Sequence, residues 1–275
     1  MGFVENLKKN WFLQALWKNK AVKKAYLFVV YFLFRKPFGN EKLLITTDNH
    51  MQFYVDYTFG RHKYEGFGDR HNAGFQNWLE SCKGKKTVLD VGAHIGLYSI
   101  PASPLVDPQG KIYAFEPSQA NGRYLQKHMN YNHCRNIEIL PYLVGEKNSD
   151  NIAFYEHPDA DPMNALIIQK GPENYKKVAK KQITLDEFCR SRQITPEVVK
   201  IDVEGAEVKV FQGARVILAR SHPKIFLSVH PSRIQLVNDS LEELLSLIRT
   251  LNYRIKGPDG NVVQEFKFGE YLLEV

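Results

Sequence analysis

The side chains best able to do chemistry fall in four short stretches. TVLDVGAHIG (Thr87–Gly96) carries Gly92 and Gly96 after an apolar, β-favouring run. Glycines between a strand and a helix let backbone N–H groups close on a ligand. Their spacing matches neither the G-x-G-x-x-G dinucleotide fingerprint nor the G-x-x-x-x-G-K-S/T phosphate loop. KIYAF (Lys111–Phe115) runs into Glu116, at a place where a carboxylate accepts hydrogen bonds from both hydroxyls of a ribose. Asp202, Glu204 and Glu207 crowd the end of VVKID and the helix start behind it. Acids there are favoured by a helix dipole and are also what hard cations prefer. With no histidine or spaced third partner in that stretch, a metal is not expected. KIFLSVH (Lys224–His230) ends in His230, whose near-neutral titration suits a general base; its structural alternative is a hydrogen-bonded strand-end histidine. Gly92, Gly96 and Glu116 together point to an adenosine-type cofactor. They leave nicotinamide dinucleotide and S-adenosylmethionine both open.

Such residues act together only if several strands end at one edge. Thr87–Val91, Lys111–Phe115, Ile137–Leu140, Val198–Asp202 and Lys224–His230 read as strands. The helices between them read as Ile95 to Ala102, kinked or ended at Pro101, and Ser118-capped to about Tyr131. Further helices open at the capping box Thr184-x-x-Glu187, near Glu207 through Phe211, and at the box Ser240-x-x-Glu243. Alternating strands and helices imply a mostly parallel sheet with ligands at the strands' carboxyl ends. Tyr142–Gly145 and Asn151–Tyr155 read as an inserted hairpin, Leu166–Ile168 as one more strand, and the lysine-rich stretch 170–181 as a solvated face. Tyr253–Lys256, Val262–Phe266 and Tyr271–Val275, around the Asp259–Gly260 turn, read as closing strands. An antiparallel finish suits a methyltransferase better than a dehydrogenase.

Residues 1–40 read as a basic, aromatic arm, 41–86 as an extension and 87–275 as the catalytic domain. In the arm, lysines such as Lys8, Lys9, Lys23 and Lys24 interleave with Trp11, Phe12 and Trp17. Its apolar run Ala25–Phe34 is about half the length of a membrane span. Arg35–Lys36–Pro37 follows it rather than a small-residue cleavage site, so export is not expected. Residues 1–36 suit peripheral contact with an anionic membrane, or packing on the domain or a second subunit. In the extension, Leu43–Thr47 and Met51–Tyr57 read as short strands and Phe75–Ser81 as a helix, while Tyr64 and Glu65 could reach over a ligand at the glycine turn. The 275 residues, 44% hydrophobic, suffice for a core without staples. The net charge of +7 permits an anionic partner, but no zinc-finger spacing or RNP-type motif is present, so nucleic acid is not expected. Cys82, Cys134 and Cys189 are far apart and form no C-x-x-C, which fits a reducing cytoplasm.

The stretches VLDVGAHIGLYS (Val88–Ser99), AFEPS (Ala114–Ser118), TLDEF (Thr184–Phe188), KIDVEGAEVKVFQGA (Lys200–Ala214) and SVHP (Ser228–Pro231) resemble the FkbM family of S-adenosylmethionine-dependent methyltransferases. The likeness spans roughly residues 87–231, and KIDVEGAE is its most specific part. It implies a Rossmann-like class I methyltransferase fold: a seven-stranded, mostly parallel sheet with helices on both faces and an antiparallel C-terminal strand. It also implies S-adenosylmethionine as cofactor and O-methyl transfer to a hydroxyl of a sugar, glycan or natural product. By motif, Asp90, Gly92, His94 and Gly96 belong to the cofactor loop. Glu116, with Pro117 and Ser118, belongs to the ribose side, and Asp202 and Glu204 to the methionine or acceptor side. An alcohol acceptor must lose a proton, and His230, Asp202 and Glu204 are the candidate bases in that order. His94 stands where the family usually has Asn, and Ser228 where many members carry an acid. Replacing Glu116 with Ala is expected to abolish cofactor binding with the fold intact. The alternatives are a nicotinamide-dependent oxidoreductase and a non-catalytic scaffold recruited to membranes through residues 1–36.

Overall fold

Short apolar runs in the sequence become the inner strands of one large sheet. A computed structural model describes residues 42–59, 67–70, 72–158, 166 and 175–275. The chain divides into two compact units between Leu43 and Leu44, and the second carries everything that follows except the first two residues of one strand. Its first elements are β1 (Lys42–Thr46), β2 (Gln52–Asp56), α1 (Phe75–Cys82), β3 (Thr87–Val91), α2 (Ser99–Ala102), β4 (Lys111–Phe115) and α3 (Gln119–Tyr131). Next come β5 (Ile137–Leu140), β6 (Leu143–Val144), β7 (Ser149–Glu156), β8 (Lys176–Ile183), α4 (Leu185–Arg192), β9 (Val198–Ile201), α5 (Glu207–Gln212) and α6 (Arg215–Ser221). The chain closes with β10 (Lys224–Val229), α7 (Pro231–Leu236), α8 (Leu241–Thr250), β11 (Arg254–Lys256) and β12 (Gly269–Glu274).

The main sheet has the order β11-β12-β10-β9-β3-β4-β5. From β10 to β5 the strands are parallel, and β12 runs antiparallel between β10 and β11. This is the Rossmann-like, seven-stranded sheet that the motifs imply. Its central strands are buried on both faces, so they read as mainly apolar runs, interrupted by Asp90, Lys200 and Ser228. Successive side chains alternate between the faces. Leu89, Val91, Val199, Ile201, Leu227 and Val229 join one core with residues of α4 to α8. The opposite face is covered by Trp78 of α1, whose ring centroid lies 5.5 Å from that of Phe226 and 5.9 Å from that of Tyr98. Each such large apolar side chain, fully buried, contributes about 1.5–3 kcal/mol. The chain winds outward from β3 to β5, then returns to β9 beside β3. The ends of β3 and β9 therefore form the switch point at which open α/β sheets bind ligands.

Three helices begin as their capping residues dictate: Ser118, Thr184 and Ser240 each accept a bond from the backbone N–H three residues on. Two readings from sequence change. The helix expected from Ile95 is only Ser99–Ala102, because Gly92, His94 and Gly96 all take positive φ and stretch the preceding segment into a turn. Val262–Phe266 is not a strand: Val262 makes one isolated bridge to Lys256, and Phe266 turns into the core to pack edge-on against Tyr271 at 4.7 Å. The inserted hairpin changes too: Tyr142–Gly145 and Asn151–Tyr155 supply β6 and β7, which do not pair with each other, because β8 lies between them, parallel to β6 and antiparallel to β7, in a separate sheet. The lysine-rich stretch contributes the strand β8, with Lys176, Lys177 and Lys181 exposed on it. The arm, Tyr64, Glu65 and most of Leu166–Ile168 lie outside the described residues. Among the described residues no helix is long and apolar enough to cross a membrane, and the three cysteines are free thiols.

Candidate active site

The turn after β3 is built to bring two strand ends together. Gly92 has φ +88°, and a Cβ there would lie 1.8 Å from the backbone oxygen of Asp202. Only glycine lets the ends of β3 and β9 approach so closely. Gly96 has φ +90° and packs its bare Cα side against Leu125 and Ile100. Asp90, 1% exposed, accepts a short hydrogen bond from Ser99 beneath the turn.

Glu116 sits at the end of β4, 5% exposed. Its carboxylate accepts from the backbone N–H of His94 at 2.8 Å and of Ser118 at 2.8 Å, and from Asn121 Nδ2 at 3.3 Å. Burial pushes this carboxyl up while those donors pull it back, and the balance stands at about 7. The carboxylate is thus positioned by the glycine turn and by the start of α3. Removing it altogether would leave these buried donors without their acceptor, at an expected cost of about 1–3 kcal/mol.

The second cluster lies across the switch point. Lys200, 2% exposed, stands 4.3 Å over the Tyr98 ring and binds Asp202 Oδ2 at 2.8 Å. Burial raises the Asp202 carboxyl, but the charges of Lys200 and His230 outweigh it and hold it below its ordinary range. Glu204 has φ +51°, and Gly205 beside it has φ +108°. This tight turn aims Glu204 back at the strand ends, where burial raises its carboxyl. His230 closes β10, with Nδ1 2.8 Å from Oε1 of the fully buried Glu207. Its Nε2 lies 3.8 Å from Asp202 Oδ1 and 3.6 Å from Glu204 Oε1. Burial depresses the imidazole, but Glu207, Glu204 and Asp202 together raise it to about 9.

A cavity of about 760 Å³, its open mouth included, joins the two clusters. Gly92, His94, Glu116, Pro117, Asp202 and Glu204 line its polar part, while Tyr142, Val144 and Phe154 line an apolar part. Asp90, Gly96, Ser118 and His230 are not in the wall: the first three shape the turn and cap α3, and His230 stands behind Asp202 and Glu204. Sequence reasoning singled out both carboxylate groups and His230. It missed Lys200, although a lysine inside the apolar run VVKID was a signal. It also missed Glu270, which accepts from Ser228 Oγ at 2.7 Å across the β10–β12 pair. A carboxylate therefore does stand beside β10, supplied by its neighbouring strand. Setting a metal aside for want of a histidine partner also changes, since folding brings His230 to Asp202 and Glu204.

The sheet order, the glycine turn and the acid at the end of β4 define a class I methyltransferase fold. Residues 90–255 match the model of the methyltransferase FkbM domain, and the chain belongs to that family. Solved structures with a similar fold include an FkbM methyltransferase from Methylobacillus flagellatus KT, with 18% identity, a TM-score of 0.45, and 70% of this chain and 44% of that one covered. The chain thus spans less than half of that protein. A precorrin-6y C5,15-methyltransferase from Geobacter metallireducens GS-15 has 14% identity and a TM-score of 0.42, over 72% of this chain and 85% of that one. SMU.1697c from Streptococcus mutans, a putative methyltransferase in complex with SAH, has 9% identity and a TM-score of 0.42, over 73% and 93%. No curated protein matches the chain.

Proposed function

We propose that the chain is an S-adenosylmethionine-dependent O-methyltransferase acting on a hydroxyl of a sugar, glycan or natural product. Glu116 is the observation that carries this reading. A buried carboxylate fixed by two backbone N–H groups, at the end of the second parallel strand and open to the cavity, suits the paired hydroxyls of a ribose. The rest of the cavity fits the same group. Gly92 lets backbone come close, Tyr142, Val144 and Phe154 suit a flat base, and Asp202 and Glu204 suit a positive sulfonium.

When bound, the cofactor supplies a methyl group on a sulfonium, which departs as a neutral thioether. The protein's part is alignment and handling of the acceptor's proton. These surroundings support a different order among the candidate bases. His230 is held through Nδ1 by Glu207 and stands among three acids, so it orients the carboxylates around it rather than serving as the base. Asp202 is committed to Lys200. Glu204 lines the cavity with a raised carboxyl, so it takes the hydroxyl proton as the acceptor oxygen bonds to carbon. Calorimetric titration with S-adenosylmethionine, then incubation with methyl-labelled cofactor and sugar-bearing fractions, tests the proposal. Binding and a labelled ether are expected; no measurable cofactor binding by the full chain would overturn it. Glu204→Gln should lower turnover about 100-fold or more with little change in cofactor affinity. Unchanged turnover removes Glu204 as base.

A further inference from the structure

We infer that Asp202, Glu204 and His230 together hold a divalent cation; what the ion does in the reaction, though not its binding, rests on the methyltransferase reading above. One ligand atom from each of the three residues lies within 4.8 Å of the other two, and His230 Nε2 lies 3.8 Å from Asp202 Oδ1 and 3.6 Å from Glu204 Oε1. The separations from Nε2, 3.8 and 3.6 Å, are too long for hydrogen bonds. A small closure puts all three about 2.1 Å from a common ion.

The surroundings hold these three atoms apart from their neighbours. Lys200 occupies the other oxygen of Asp202, Oδ2, at 2.8 Å. Arg233 Nε lies 3.8 Å from the other oxygen of Glu204, Oε2. Asp202 is therefore held through Oδ2, while the Arg233 charge stands near Oε2 of Glu204, and each carboxylate has its other oxygen nearest Nε2. On the far side of the ring, Glu207 engages Nδ1 at 2.8 Å. A carboxylate behind a histidine is the arrangement that orients metal-ligating imidazoles, fixing the proton on Nδ1 and leaving Nε2 to the metal. Glu207 is 0% exposed, and its Oε2 has no hydrogen-bond partner among the described residues. This buried carboxylate is compensated through Oε1 alone, by His230 and the Gly205 N–H, which favours a further cation in the cluster.

Two carboxylates and one imidazole suit Mn²⁺ or Mg²⁺ rather than a thiolate-seeking metal. Because Asp202 and Glu204 line the cavity, the ion would meet the acceptor there. It would acidify the hydroxyl, so that the O–H bond breaks more readily, its proton passing to Oε2 of Glu204, the oxygen not on the ion, and its electron pair going to the bond that oxygen forms with the methyl carbon.

The rival is that protonated His230 is itself the cluster's only cation on this side. The test is titration of the chelator-treated full chain with Mn²⁺, read by calorimetry and by the electron paramagnetic resonance of free Mn²⁺, without cofactor. One ion per chain is expected, displaced by Mg²⁺ and lost in His230→Ala and in Asp202→Asn. Glu207→Gln should weaken it about 10- to 100-fold. No stoichiometric binding by the wild-type chain, or binding kept in both ligand variants, would overturn the inference. Should the variants unfold, Mn²⁺ broadening of the wild-type His230 ring resonances reads the same contact: its presence supports the site and its absence overturns it. S-adenosylmethionine titrated into the chelated protein separates the two readings. Cofactor binding with no Mn²⁺ site sinks only the ion, whereas an Mn²⁺ site without cofactor affinity sinks only the methyltransferase assignment.

Discussion

Glu116→Gln removes one charge and little volume, and its consequences can be worked out. In the free protein the Glu116 carboxyl stands at about 7 rather than the ordinary 4.5. If the ionised form holds the ribose hydroxyls, wild-type cofactor affinity is flat above pH 7. Below it, affinity falls by up to about tenfold per pH unit, roughly 100-fold by pH 5. The cofactor's own amino group also titrates, so the Gln variant serves as the baseline. Losing charge-assisted bonds should cost it about 1.5–3 kcal/mol, roughly 10- to 150-fold in Kd above pH 7, with the gap closing as pH falls. Stability moves the opposite way. An acid whose folded pKa is raised contributes stability that is fully present below about 4.5 and lost as pH rises through about 7. That loss is about 3 kcal/mol, and the Gln variant escapes it, less about 1–3 kcal/mol for any donor left unpaired. Calorimetric Kd and Tm from pH 5 to 8 for both proteins check this. Parallel pH profiles, in Kd and in Tm, would refute the assignment of Glu116 as an ionising ribose ligand.

Other perturbations probe the scaffold. Gly92→Ala adds a Cβ that would overlap the Asp202 backbone oxygen at positive φ. It should destabilise by at least about 1–3 kcal/mol, visible as a lower Tm, and weaken cofactor binding; a wild-type Tm would contradict the close approach of β3 and β9. Lys200→Met breaks a buried pair but leaves Asp202 some water, so a loss near the low end of about 3–5 kcal/mol is expected by denaturant titration. Glu270→Ala should destabilise by about 1–3 kcal/mol by stranding Ser228 and the Lys200 network. The double variant Ser228→Asp/Glu270→Ala, which moves the carboxylate onto β10, should recover at least half of that in a double-mutant cycle. No recovery would show that Glu270 acts independently of position 228.

The inner parallel strands were legible because each is buried on both faces and so leaves a mainly apolar run between turn residues, as in VVKI and KIFLSV. Three helix starts were legible because a capping oxygen acts within its own turn. Val262–Phe266 misled because an apolar run looks the same whether it pairs or folds inward; Phe266 is held by Tyr271, not by a neighbouring strand. The Ile95 helix misled because helical propensity says nothing of the positive φ that a ligand turn imposes on His94 and Gly96.

What the sequence by itself determined is what local chemistry can encode: the strand periodicity, the capped helices, the glycine turn, the acid at the end of β4 and the family motifs. The tertiary structure alone decided the relations between distant residues. It set Glu207 behind His230, put Lys200 under Tyr98 and against Asp202, and brought Glu270 to Ser228. Those contacts depend on strand order and register, which join segments far apart in the chain. The charge state of a side chain follows from them, because burial and neighbouring charges fix it. That is why His230, a base by its type, becomes a positioning group or a metal ligand by its place.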